Sequence, residues 1–105
     1  FVPGDADNIG KLDTETEIFT AIDISGKVPC TYTCKCRYIG GVLKGSTIYF
    51  VPGDADNIGK LDTETEIFTA IDISGKVPCT YTCKCRYIGG VLKGSTIYFV
   101  PGDAD

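Results

Sequence analysis

Histidine, methionine and tryptophan are all absent from this 105-residue sequence. Without histidine the chain lacks the side chain most used as a general acid or base near neutral pH. A cysteine nucleophile would likewise have no imidazole partner. Without tryptophan, any sugar-stacking platform would have to rest on tyrosines such as Tyr32, Tyr38 and Tyr49, which in strands more often pack into a core. Apolar runs stay far below the roughly 18 residues of a membrane-spanning segment, so no membrane span is expected. A basic excess is missing too: ten Lys and Arg face fourteen Asp and Glu, giving a net charge of −4. That balance excludes the basic stripe a nucleic-acid partner requires. No Asn-x-Ser/Thr sequon is present, so N-glycosylation is not expected.

What the sequence does have is repetition. FVPGDAD occurs at Phe1, Phe50 and Phe99, and every residue between recurs at the same 49-residue spacing. The expected organisation is one unit at 1–49, an identical unit at 50–98, and the start of a third at 99–105. Such a chain reads as a fragment of a longer array or of an oligomeric ring. Periods of this length belong to helical pairs or to four-stranded propeller blades. Apolar residues never recur at i, i+3, i+4 and i+7 over three turns, and Gly and Pro break every apolar run, so the unit is β.

Within the unit, Thr47 to Val51 mixes β-branched and aromatic residues and is stopped by Pro52 and the turn-forming PGDADN. Further strands are expected at Ile58 to Asp62 and Ile67 to Ile73, separated by the turn Thr63-Glu64-Thr65. The second of these is apolar on both sides, which predicts a position between two layers. After the break at Ser74-Gly75-Lys76, VPCTYTCKCRY allows an irregular strand, and Val91-Leu92 reads as a short inner one. The stretch from Gly40 to Ser74, GGVLKGSTIYFVPGDADNIGKLDTETEIFTAIDIS, resembles the blades of streptogramin-lyase-like and kelch-like β-propellers. The resemblance covers about 35 of each 49 residues and implies an all-β fold of tandem four-stranded blades. It carries no activity across, because those lyases rely on histidine and a metal and no position here matches. VPCTYTCKCRY departs from the pattern altogether.

Cysteine is plentiful: Cys30, Cys34 and Cys36 recur as Cys79, Cys83 and Cys85. This density suits an oxidising compartment, so the chain is expected to be secreted. In an extended segment all three would project from one face, and Cys34 and Cys36 are poorly placed to bridge each other. An odd number per unit requires full pairing to cross a unit boundary, and the other arrangement is one local pair plus a buried thiol. Three cysteines without histidine fall short of a four-ligand zinc site. Asp5 and Asp7, with their copies Asp54 and Asp56, alternate as the first oxygen ligands of a calcium loop do. The pattern fails at Ile9, where that loop needs a third ligand, and a capped turn is the simpler expectation. No catalytic, cofactor or metal site is assigned.

These features favour an extracellular structural protein whose units self-associate into a fibre or propeller array, stabilised by inter-repeat disulfides. The alternative is a repeat propeller binding a glycan or small ligand at one site per blade. A propeller closes with roughly four to eight blades, so two units would need further copies to form a ring, and an open stack would be a filament. Most cysteines should therefore be oxidised in native material. Titrating thiols in denatured, unreduced protein should find far fewer than the six that the sequence contains, and six would end the disulfide proposal.

Overall fold

A computed structural model describes residues 8–27, 38–53, 55, 57–76 and 87–102. The chain is all-β. Its strands are β1 (Asn8–Leu12), β2 (Phe19–Asp23), β3 (Tyr38–Lys44), β4 (Thr47–Pro52), β5 (Asn57–Asp62), β6 (Ile67–Asp72), β7 (Tyr87–Lys93) and β8 (Thr96–Pro101). Among the described residues they form three antiparallel sheets, none of them closed: the hairpin β1-β2, the meander β3-β4-β5-β6, and the hairpin β7-β8. The four-stranded sheet takes strands from both sides of Phe50, where the second sequence unit begins.

Turn chemistry fixes the strand pairing. Lys44 pairs with Thr47 across a two-residue loop whose first residue, Gly45, has φ +59°. Glycine at that position gives the type II′ geometry whose twist matches the strands it joins. Between β5 and β6 the four-residue loop Thr63 to Glu66 ends with Glu66 at φ +60°, and its amide donates to the carbonyl of Asp62 at 2.7 Å. The Asp62 carboxylate accepts from the amides of Glu64 and Thr65, which holds the start of the loop.

One face of the four-stranded sheet is built around aromatic rings. Phe50 on β4 lies opposite Gly59 on β5. Tyr38 joins Phe50 on this face only because the β3 register shifts between Tyr38 and Gly40. Such a bulge re-aims a side chain that strict alternation would send to the other side. The rings of Tyr38, Phe50 and Phe68 then lie 5.7 to 6.3 Å apart, in tilted arrangements favoured by aromatic pairs. A Cβ on Gly59 would come within 3.0 to 3.1 Å of all three rings, so only glycine lets them close over β5. The Tyr38 hydroxyl, which would be costly to bury without a partner, donates to the side-chain oxygen of buried Asn57.

Ile9 and Ile24 from the β1–β2 region complete this cluster with Ala55 and Leu61. On the opposite face β7 packs against β3 and β4. The central sheet is thus covered in part by a hairpin on each side. β6 corrects the expectation of a strand between two layers. It is the sheet's edge, only Phe68 is buried along it, and Ile67 and Ile71 are exposed. The β7–β8 hairpin reaches β3 and β4 and stops short of covering β6.

Phe19 and Phe68 occupy the same place in the repeated sequence, yet Phe68 is 5% exposed and Phe19 58%. Phe68 has Tyr38 and Phe50 against it, whereas β2 lies in a two-stranded sheet. Phe68→Ala should cost about 3–5 kcal/mol, and Phe19→Ala about 1 kcal/mol or less. Urea midpoints of the two variants test this, and equal losses would contradict the described core.

Candidate functional site

A concave part of the described surface lies between the β1–β2 hairpin and the ring-bearing face of the central sheet. It is a cleft of about 430 Å³ whose walls are Ile9 and Ile22 on one side and Ile48, Phe50 and Leu61 on the other. Alternation places these side chains. Ile9 and Ile22 face each other across the β1–β2 ladder, as Ile48 and Leu61 do across β4–β5. At the rim the Lys11 ammonium meets the Glu66 carboxylate at 2.5 Å, linking the two sheets. Both side chains are well exposed, so the pair is worth at most about 1 kcal/mol and guides alignment more than it holds the sheets together.

A second, smaller cleft of about 260 Å³ lies between the other face of the central sheet and the β7–β8 hairpin. Ile58 and Ile71 line it from one side and Ile97 and Phe99 from the other. Adding 49 to Ile9, Ile22, Ile48 and Phe50 gives these four residues in order. The two clefts are therefore lined by the same positions of the repeat: the Ile-Ile face of one sheet opposite the Ile-Phe face of the next. The second contact also carries a polar link, from the Lys44 ammonium to the carbonyl of Gly94 at 3.4 Å.

Chemically the walls offer apolar surface and a polar rim. They suit packing against another apolar face or enclosing an apolar ligand. Tyr38, considered above as part of a sugar platform, is buried in the ring cluster, and Tyr49 is half-buried. The cysteine candidates Cys30, Cys34, Cys36, Cys79, Cys83 and Cys85 lie outside the described residues, as do Tyr32 and the calcium candidates Asp5, Asp7, Asp54 and Asp56. Among the described residues no group of three or more acidic, cysteine or histidine side chains is placed to hold a metal ion. No helix there is long and apolar enough to cross a membrane. The repeated lining was missed in the sequence, although the equal spacing of its isoleucines by 49 was the signal that could have revealed it.

Besides Asp62, three aspartates act as turn caps at the sheet ends. The Asp13 carboxylate accepts from the amides of Thr16 and Glu15, which hold it below the usual carboxylate range. The Ser25 amide does the same for Asp23, and the Ser74 amide for Asp72. Groups depressed in this way stabilise the fold fully above their unfolded value, and the effect is lost as pH falls through the folded one. Stability should therefore stay level from about pH 8 to 5 and decline below about pH 4, where aspartate titrates. A midpoint that already drops between about pH 7 and 5 in a denaturation series would contradict this assignment.

Compared with known proteins, the chain matches no protein-family model, no curated protein and no solved structure.

Proposed function

We propose that this chain is a structural, self-assembling repeat protein of the extracellular space. In this view four-stranded, propeller-type sheets stack face to face, and disulfides between neighbouring units strengthen the array. One observation carries the proposal: the same four sequence positions line both inter-sheet clefts, Ile9 and Ile22 opposite Ile48 and Phe50, then Ile58 and Ile71 opposite Ile97 and Phe99. A contact between different faces of like units can repeat without limit, and if its rotation does not close it makes a filament. The sheet order β3-β4-β5-β6 is the simple meander used by propeller blades, which supports the blade-type description. Burying one large apolar side chain yields roughly 1.5 to 3 kcal/mol, enough for a few such contacts to outweigh repulsion from a small net charge. The high cysteine content supports the extracellular assignment.

A binding role is the second proposal, and the 430 Å³ cleft with its Lys11 and Glu66 rim favours it, for a small and mainly apolar ligand. Sedimentation and negative-stain microscopy across a concentration series, with and without reductant, separate the two. Self-assembly predicts species that grow with concentration, and longer objects without reductant than with it. A chain that stays a compact monomer throughout would overturn the structural proposal and leave the binding role.

A further inference from the structure

Identical sequence in different surroundings shows what a missing neighbour would cover. Val42 and Val51 on the central sheet are 9% and 1% exposed. Their copies on the β7–β8 hairpin, Val91 and Val100, are 61% and 43% exposed. Tyr49 is half-buried, while its copy Tyr98 is among the exposed large hydrophobic residues. Local sequence and hairpin register are the same in both places, since Val42 pairs with Tyr49 as Val91 does with Tyr98. Two things differ: β5 borders β4 whereas β8 has no second strand beside it among the described residues, and a layer lies on top of Val42 and Val51. Over Val42 and Val51 lies β7, entering through Gly90, where a Cβ would stand 3.2 Å from Val42 and 3.4 Å from Val51. Nothing among the described residues plays that part over Val91, Tyr98 and Val100.

The complementary face is exposed as well. The copy of Gly90 is Gly41, and the copy of Leu92 is Leu43. Gly41 and Leu43 are both exposed, with Ile48 half-buried beside them. The chain thus displays both halves of a contact that it already makes once internally, and displays them on opposite sides of the stack.

We infer that the exposed face of β7–β8 (Val91, Tyr98 and Val100) is a docking surface for the Gly41, Leu43 and Ile48 face of a second copy of this chain, joined head to tail. The inference rests on the proposed self-assembly and adds its polarity and its residues. The internal contact supplies the template. Glycine at position 41 admits Val91 and Val100 of the neighbouring copy as Gly90 admits Val42 and Val51. Lys93 then stands towards Gly45 of that copy as Lys44 does towards Gly94, whose carbonyl it reaches at 3.4 Å. The contact is heterologous, because the two faces differ, so each copy keeps one open face of each kind and growth continues.

Two substitutions at well-exposed positions test the polarity. Val91→Asp blocks one face and Leu43→Asp the other, and Tyr98→Asp serves as a second block of the first. Circular dichroism selects the variants that keep the β fold, and sedimentation under reductant excludes disulfide-linked species. A buried unpaired carboxylate should weaken association by about tenfold or more in each single variant. A one-to-one mixture of Val91→Asp and Leu43→Asp should then form a dimer and nothing larger, since each supplies the face the other lost. If Leu43→Asp alone associates as the unsubstituted chain does, or if the mixture forms no dimer, the head-to-tail contact is overturned while self-assembly stands. If the unsubstituted chain itself never associates, self-assembly falls and this contact falls with it.

Discussion

The architecture depends on three aromatic rings closing over one glycine. Tyr38, Phe50 and Phe68 come from three different strands, and Gly59 on a fourth is the floor on which they meet. Because the rings bridge β3, β4 and β6, they fasten a meander whose adjacent strands would otherwise be joined only by ladder bonds and short turns. Isolated hairpins are marginal in water, and three or more strands with an apolar face are needed for independent stability. The ring cluster meets that condition inside one sheet. It also uses most of that face, leaving Ile48 and Leu61 to meet the hairpin alongside.

The opposite face has no ring cluster and is lined by Val42, Val51 and Ile58, with Tyr49 between them. It gains burial from another sheet. This asymmetry makes the unit polar in the geometric sense: one face carries the ring cluster and takes the β1–β2 hairpin beside it, the other is buried by the sheet stacked on it. A sheet of this kind in isolation would carry an apolar patch of the sort that soluble monomers rarely expose. Stacking is the economical remedy, and the repeated sequence provides the partner.

Much of the strand pattern was legible. Thr47 to Val51, Ile58 to Asp62 and Ile67 to Ile73 were read within a residue of β4, β5 and β6, because proline, glycine and aspartate punctuate the chain at turns they chemically favour. β3 and β7 were harder. Their Gly-Gly pairs look like breaks, and Val-Leu alone suggested a much shorter inner strand than the seven residues from Tyr38 or Tyr87. The bulge beside Tyr38 was not legible at all, since it shows only in the parity of cross-strand pairing. Without it Tyr38 would be assigned to the wrong face, and the ring cluster would lose a member. The edge position of β6 escaped notice for a related reason. Periodicity reports which faces are apolar and is silent on whether another layer covers them.

Exact repetition has a kinetic side as well. β4 folds against β5, yet β1 carries the same residues from Asn8 to Leu12 that β5 carries from Asn57 to Leu61. Side-chain complementarity cannot tell the two partners apart, so a folding chain must choose by distance along its own length. The β4–β5 connection is far shorter than the path from β1 to β4, and each doubling of a closing loop costs roughly 0.6 kcal/mol. That entropic margin is small beside the energy of the pairing itself. Mispaired sheets that are locally perfect are thus built into the sequence, as is the exchange of identical strands between molecules that characterises repeat proteins.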